Sequence, residues 1–322
     1  MSVCVFTGDQ LAAYGFGKDH PFNLSRYPAF WSEFQKRGLH HHNEICLCPP
    51  VMASVSELKF FHDAEYVNRV QQQSQTGTGY LDYGDTPAFK GVFEAASYVV
   101  GSALQAMENL MTQKCKQAFV PIAGLHHARR DQAAGFCVFN DCGVVIESLL
   151  QTHHLSRVAY VDIDAHHGDG VFYAFESEPR LLFADLHEDG RYLYPGTGFE
   201  NETGKGVAKD TKLNIPMPPT ADDEMFVQQF DKVIAFLDQH EPEFIILQCG
   251  ADSLDGDPIT DMQYSYHAHA YATEKLMELA NKHCDGRLLC LGGGGYNLDN
   301  IANAWCAVLE SLIKAESHHV KS

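Results

Sequence analysis

Five segments of the chain share one plan, in which a short apolar run leads into a loop rich in glycine, aspartate or histidine. They read QAFVPIAGLHHARRD, RVAYVDIDAHHGDG, RLLFADLHEDGRYLYPGTG, FIILQCGADSLDGD and RLLCLGGGGYN. Stretches with helical periodicity accompany them, at residues 91–113, 141–153, 222–239, 266–283 and 298–314. Continuous apolar strands that alternate with helices predict an α/β fold, an open parallel sheet covered by helices on both faces.

The whole chain, residues 1–322, is predicted to form a single domain. It contains no proline- or serine-rich linker, no low-complexity tract and no repeat at a fixed period. A hydrophobic content of 45% is enough for a sizeable core.

Composition and charge disfavour several classes of protein. We find neither the basic start and apolar run of a secretory signal nor the roughly 18 apolar residues of a membrane span. The ten cysteines are scattered without C-x-x-C spacing, which favours free thiols in a reducing compartment. With 42 acidic against 23 basic residues, a net charge of −19, the chain should repel nucleic acid and mildly attract cationic ligands. We therefore expect a cytoplasmic protein with no nucleic-acid or membrane partner.

The segment VDIDAHHGDG crowds five titratable groups into the eight residues from Asp162 to Asp169. Such groups are costly to desolvate unless they are paired or bind a metal. Ligands of parallel sheets lie beyond the carboxyl ends of the strands, which is where all five loops emerge. The loops are therefore predicted to converge on one rim that holds a metal-dependent site.

The spacing within this segment suggests the metal ligands. Asp164 and His166 are separated by one residue, so an extended backbone places both side chains on the same side. A catalytic zinc takes three protein ligands, and Asp252 of GAD, after another apolar run, offers the third. Two carboxylates and one imidazole suit Zn²⁺ without excluding Fe²⁺ or Co²⁺.

Groups that could move protons lie in the other loops. The adjacent His126 and His127 titrate near neutrality, and Asp162 and Asp169 are available as the carboxylates that would fix their tautomers. Tyr296 follows four glycines, where its hydroxyl could donate to an oxyanion. The glycine run lacks the Lys-Ser/Thr of a Walker loop, which disfavours a nucleotide site.

These motifs resemble those of the zinc-dependent histone deacetylase family, including its bacterial acetoin-utilisation-type members. The resemblance covers nearly the whole chain and keeps the order of the family's motifs, GKDHPFNLSR, YGDTP, GLHHARRDQAAGFCVFND, VDIDAHHGDGV, YPGTG, GADSLDGDP and GGGGYN. It implies an arginase-like fold with an eight-stranded parallel sheet, and hydrolysis of N-acetyl-lysine to lysine and acetate.

The resemblance also implies roles for the reactive residues. It makes Asp164, His166 and Asp252 the metal ligands. It pairs His126 with Asp162 and His127 with Asp169, with His127 as general base and then acid, and His126 mainly electrostatic. Tyr296 would polarise the amide carbonyl and stabilise the tetrahedral oxyanion.

The implied substrate-binding residues surround this centre. Phe136 and Tyr194 match the two walls of an acyl-lysine tunnel, the second of which is often phenylalanine in relatives. Gly135 and Gly294 match neighbouring substrate-binding positions. Asp85 of YGDTP matches a rim aspartate that holds substrate backbone amides, and Arg26 matches an arginine that lines the acetate exit path.

Two monovalent cation sites, usually filled by potassium, are implied as well. The first would use Asp162, Asp164 and His166 and extend onto Asp185 and Leu186, where many relatives carry serine in place of Asp185. The second would use the backbone carbonyls of Phe175, Glu178, Leu181 and Thr211. We expect a structural role for His187.

Several alternatives remain open. An acetylpolyamine amidohydrolase, or an enzyme of another small acetylated amine, would use the same constellation, although Asp85 and the lack of a long N-terminal insertion favour an acetylated protein or peptide as the partner. An inactive scaffold is disfavoured because every reactive group is present. An arginase-type dimanganese site is disfavoured because Gly168 stands where its last aspartate would be.

Overall fold

The computed structural model describes residues 3–319, with side chains described through residue 314. Its eight strands are β1 (Val3–Phe6), β2 (Ile45–Cys48), β3 (Gln117–Val120), β4 (Val158–Asp162), β5 (Leu181–Glu188), β6 (Lys212–Met217), β7 (Phe244–Gln248) and β8 (Leu288–Leu291). Its α-helices are α1 (Asp9–Ala12), α2 (Arg26–Lys36), α3 (Val55–Leu58), α4 (Ala64–Thr76), α5 (Val92–Met111), α6 (Asp141–Glu147), α7 (Asp169–Ala174), α8 (Asp223–His240), α9 (Tyr266–His283) and α10 (Leu298–His319).

All eight strands form one parallel sheet in the order β2-β1-β3-β8-β7-β4-β5-β6. Every residue of β3, β4, β7 and β8 is buried. Since successive side chains of a strand point to opposite faces, the centre of the sheet is covered on both sides. The predicted open parallel α/β sheet with eight strands is confirmed.

The five loop-bearing segments supply adjacent strands. β3, β8, β7, β4 and β5 are neighbours in the sheet although they are scattered along the chain. Parallel strands all end at the same edge, so the loops that follow these five emerge side by side.

The predicted helical stretches are α5, α6, α8, α9 and α10, within a few residues at their ends. The stretch 141–153 is divided, because α6 continues into a single π-helical turn at Ser148–Thr152. Among the described helices none is long and apolar enough to cross a membrane. All ten cysteines are free, as predicted.

Candidate active site

The reactive side chains meet beyond the carboxyl ends of the central strands. Asp162 ends β4, and Asp164 and His166 follow it, while Asp252 lies just after β7. These four side chains are buried. The histidine pair after β3 and Tyr296 after β8 reach the same place.

Asp164, His166 and Asp252 form a compact group of possible metal ligands. One donor atom from each lies within 4.8 Å of the others. His166 Nδ1 is 3.1 Å from Asp164 Oδ1 and 3.1 Å from Asp252 Oδ2. Burial and the Asp164 carboxylate raise the pKa of Asp252 to about 7. Although burial opposes it, the two carboxylates raise the pKa of His166 to about 10. The negative charge concentrated here, and the donor set, fit one divalent cation such as Zn²⁺ or Fe²⁺.

Two glycines bring the backbone against these carboxylates. A Cβ at Gly250 would lie 2.1 Å from Asp164 Oδ2, and one at Gly294 would lie 2.2 Å from Asp252 Oδ2. Any side chain at either position would therefore displace a ligand. Gly294, predicted as a substrate-binding position, also donates its N–H to Asp164 Oδ2 at 2.8 Å.

A residue that the sequence did not single out orients the same ligand. Gln248, at the end of β7, donates from Nε2 to Asp164 Oδ2 at 2.8 Å and to the Gly124 carbonyl at 3.1 Å. Its Oε1 accepts the Gly250 N–H. The available signal was a glutamine that ends the apolar run FIILQ, and its side chain is fully buried in the structure.

The histidine pair is held by two carboxylates. His126 Nδ1 is 2.7 Å from Asp162 Oδ2, and His127 Nδ1 is 2.7 Å from Asp169 Oδ1. A carboxylate that accepts from Nδ1 leaves Nε2 available as a base. The two Nε2 atoms converge at 3.1 Å. Burial and the adjacent His126 lower the pKa of His127 to about 4, which keeps it unprotonated at neutral pH.

The loop that carries these histidines is fixed from α6. The Asp141 carboxylate accepts the N–H groups of Gly124 and Leu125, each at 2.8 Å. Asn140 Nδ2 donates to the carbonyl of His126 at 3.2 Å. The sequence did not single out Asn140 and Asp141. The available signal was the pair Asn-Asp at the start of a predicted helix, where such side chains accept backbone N–H groups.

The residues predicted as tunnel walls lie next to the histidines and the tyrosine. The ring of Tyr194 is 5.2 Å from that of His127, and the ring of Phe136 is 5.8 Å from that of Tyr296. Gly135 has φ +52°, and a Cβ there would lie 2.5 Å from His127 Cδ2, so glycine makes room for the base.

Phe136 itself adopts a backbone conformation that is unusual for its type, with φ +67°. Its carbonyl accepts from the Tyr14 hydroxyl at 2.7 Å, and its N–H donates to Thr86 Oγ1 at 3.1 Å. Local strain of this kind clusters at functional sites and persists where neighbours hold it.

Tyr296 and Arg26 lie on the inner side of the site. The N–H of Tyr296 donates to Asp257 at 2.8 Å, and burial raises the pKa of the phenol well above its ordinary value, so the hydroxyl remains a donor. The fully buried Arg26 donates to the carbonyls of Gly295 and Gly293 at 2.8 and 2.6 Å. Its Nη1 is buried without a hydrogen-bond partner among the described residues, which leaves a donor for an anion.

The outer rim contains an open cleft of about 510 Å³ that Asp82, Asp85, Arg129 and Tyr194 help to line. Asp85 is exposed there. The turn is made by Asp82, whose Oδ1 accepts the N–H groups of residues 84, 85 and 86. Partial burial and the Asp82 carboxylate raise the pKa of Asp85 to about 7, and amides that donate to Asp85 would favour its ionised form.

The predicted first potassium site contains an unexpected ion pair. Asp185 lies opposite Asp162 in the pairing of β5 with β4, and Leu186 follows it within the strand. Asp185 Oδ1 is 2.7 Å from His187 Nδ1, and Oδ2 accepts the Gly168 N–H at 2.9 Å. His187 Nε2 donates to a carbonyl at 2.8 Å, so both ring nitrogens carry protons when Asp185 is ionised. The Asp185 carboxylate is thus neutralised within the fold.

The predicted second potassium site also differs from the expectation. The carbonyls of Glu178 and Leu181 accept hydrogen bonds from Lys212 Nζ. Of the other two residues predicted there, Thr211 also accepts from Lys212 Nζ through its hydroxyl at 2.7 Å, and the Phe175 carbonyl accepts the Glu178 N–H at 3.0 Å. Lys212 was not predicted, because its segment KLNIPM lacks the continuous apolar run that marks a buried strand.

Comparisons with known proteins agree with this geometry. A family model described as "Histone deacetylase domain" matches residues 20–312. Acetoin utilization protein AcuC of Bacillus subtilis is 34% identical over 307 residues, which are 92% of this chain and 78% of AcuC. A probable deacetylase of Archaeoglobus fulgidus is 33% identical over 282 residues, 87% of this chain and 77% of that protein.

The similarity extends to eukaryotic proteins and to structure. Histone deacetylase RPD3 of Saccharomyces cerevisiae is 31% identical over 313 residues, 94% of this chain and 70% of RPD3. The crystal structure of the HDA15 HD domain superposes with a TM-score of 0.90 at 26% identity, covering 97% of this chain and 88% of that one.

Proposed function

The chain belongs to the histone deacetylase family and has its arginase-like fold, and on that premise we propose that it is a metal-dependent amidohydrolase of N-acetyl-lysine side chains in proteins or peptides, releasing acetate. One observation carries the proposal: two histidines, each held by a carboxylate, lie beside the buried ligand group. His126 Nε2 lies 3.9 Å from Asp164 Oδ1, and the rings of His127 and His166 are 5.8 Å apart.

The ligands of the cation would be Asp164, His166 and Asp252. When bound, a divalent cation supplies Lewis acidity toward the amide carbonyl and makes a water molecule easier to deprotonate. The donor set suits zinc and iron alike, and of the two predicted potassium sites only the first would bind an ion.

His127 would move the protons. With its Nδ1 hydrogen-bonded to Asp169, its Nε2 accepts a proton from the attacking water and returns it to the departing lysine amine. His126, held in the same way by Asp162, would contribute mainly to the electrostatic field.

The remaining residues would bind the substrate and its acetyl group. Phe136 and Tyr194 would flank the lysine methylenes, while the Tyr296 hydroxyl would donate to the carbonyl oxygen as negative charge develops on it. The free Nη1 of Arg26 would guide the acetate product. Asp85 at the rim would accept backbone amides of a peptide, which favours a peptide over an acetylated polyamine.

The test is a comparison of substrates with and without metal. We expect protein freed of metal by chelation to be inactive, and Zn²⁺ or Fe²⁺ to restore hydrolysis. With metal bound, kcat/KM should be higher for acetyl-lysine peptides than for longer acyl peptides or acetylated polyamines.

Elemental analysis of the chelated sample is the control for this experiment. Full activity in a sample verified to be free of metal would contradict the mechanism. A higher kcat/KM on acetylated polyamines would leave the proposed amide hydrolysis in place, but would make acetylated polyamines the substrate class instead of acetyl-lysine peptides.

A further inference from the structure

A buried lysine opens β6 without a carboxylate among its hydrogen-bond partners. The Lys212 residue is only 2% exposed. Its Nζ donates to the Leu181 carbonyl at 2.7 Å, to Thr211 Oγ1 at 2.7 Å and to the Glu178 carbonyl at 3.0 Å. An ammonium has three donors, so all of them are matched by these three neutral oxygens. Lysine is almost never fully buried unless its charge is compensated, and this cluster of oxygens resembles a cation site more than an ion pair.

The oxygens come from the very residues expected to bind a second potassium ion. Two of the four predicted carbonyls, those of Glu178 and Leu181, point at the ammonium. Thr211 contributes its hydroxyl, while the Phe175 carbonyl accepts the Glu178 N–H at 3.0 Å. Carbonyl oxygens bind potassium by replacing its water shell. A potassium ion on the same oxygens would contact a second positive charge, so the residues present do not fit the ion.

We propose that the Lys212 ammonium is a covalently attached substitute for this second monovalent cation, and that the site binds no potassium in this chain. The nearby Glu178 and Glu176 carboxylates, which also pair with Arg180 and Lys205, favour a cation here. Burial lowers the pKa of Lys212 to about 8 against the effect of these carboxylates, which still leaves the amine protonated at neutral pH.

The position of the ammonium indicates which part of the fold it stabilises. The loop that carries the Glu178 carbonyl connects α7 to β5, and Lys212 joins this loop to the starts of β5 and β6. The first residue of α7 is Asp169, which holds His127. The Lys212 side chain therefore holds the loop that follows α7 against the starts of β5 and β6. A potassium ion can dissociate from such a place, whereas a lysine side chain cannot.

The experiment compares melting temperatures in potassium chloride and in choline chloride at equal ionic strength. Lys212→Ala vacates the site, so it should melt several degrees below wild type in choline chloride and recover at least about half of the loss in potassium chloride. Lys212→Met fills the space without a charge and should be destabilised equally in both salts. The exposed Lys209→Ala variant is the matched control and should behave as wild type.

The change in melting temperature that potassium causes in the wild type is subtracted from the change in each variant, because the first predicted cation site is the same in all of them. An unchanged melting temperature of Lys212→Ala, or an equal loss in both salts, would overturn the proposal.

A second measurement needs only the wild-type protein. Crystals soaked in a thallium salt should show no anomalous peak on the Glu178 and Leu181 carbonyls, and a peak there with Lys212 displaced would also overturn it. Neither measurement depends on the substrate.

Discussion

His126 and His127 are neighbours in the chain and each contacts a carboxylate at 2.7 Å, yet they face different surroundings. His126 Nε2 points toward the ligand group, 3.9 Å from Asp164 Oδ1. The His127 ring instead packs against Tyr194, at the side from which the substrate would enter. These different neighbours support the proposed division of roles between two chemically identical side chains.

We expect the alanine variants of His126 and His127 to differ in kcat. His127→Ala removes the proposed base, so kcat should fall by about 10²–10⁴-fold, the usual contribution of general acid–base catalysis. His126→Ala should lose less, because it removes only an electrostatic contribution. Steady-state kinetics on an acetyl-lysine peptide measure both values, and elemental analysis should show unchanged metal content. Equal losses in the two variants would mean that the histidines share the proton transfer.

At the scale of elements, much of the site follows from where strands end. The apolar runs ending at Asp162 and Gln248 are local patterns, and a parallel sheet necessarily gathers the loops after them. The contacts that refine the site are not local. Tyr14 holds Phe136 from 122 positions away, and no periodicity records this pairing. Lys212 is similar, because its partners become visible only when β6 lies beside β5.

Strands β2 and β6 were not predicted from the sequence pattern, for a physical reason. β2 is an edge strand whose residues are partly exposed, and β6 interrupts its apolar residues with lysine, asparagine and proline. The apolar run of β2 is only four residues long and leads into no loop rich in glycine, aspartate or histidine, while β6 carries no continuous apolar run. Both are edge strands, which are not covered on both faces like the central strands. The prediction of eight strands therefore depended on the family resemblance, whereas the five central strands were predicted from their apolar runs.

The rim loop between α4 and α5 allows a test with a matched pair of aspartates. Asp85→Ala removes an exposed acceptor, so kcat/KM on acetyl-lysine peptides should fall by more than about tenfold, which corresponds to roughly 1.4 kcal/mol. A minimal acetyl-lysine analogue without flanking amides should be affected far less, and the melting temperature should stay near that of wild type.

Asp82→Ala provides the contrast, because its carboxylate accepts three backbone N–H groups of the turn. We expect it to lower the melting temperature and the activity on both substrates together. If Asp85→Ala lost the same factor on both substrates while remaining folded, Asp85 would not hold the peptide backbone, and a small acetylated amine would become the better substrate hypothesis.

At the scale of the whole molecule, the net charge of −19 surrounds a site that is open at its rim. A field of this sign attracts cationic substrates, and salt screens it over a Debye length that shortens from roughly 30 Å at 0.01 M to about 10 Å at 0.1 M. Arg129 lines the same cleft with an exposed side chain, so the local charge is mixed and the attraction must come largely from the rest of the protein.

We therefore expect kcat/KM for acetyl-lysine peptides with flanking lysine or arginine to fall several-fold as ionic strength rises over this range. Peptides of equal length with uncharged flanks should change little, and kcat should be nearly constant for both, because the field acts on association rather than on the buried chemistry. The salt should be choline chloride at fixed potassium concentration, so that occupancy of any monovalent cation site does not vary. Parallel salt dependences for the two peptides would show that the overall charge maintains solubility without guiding the substrate.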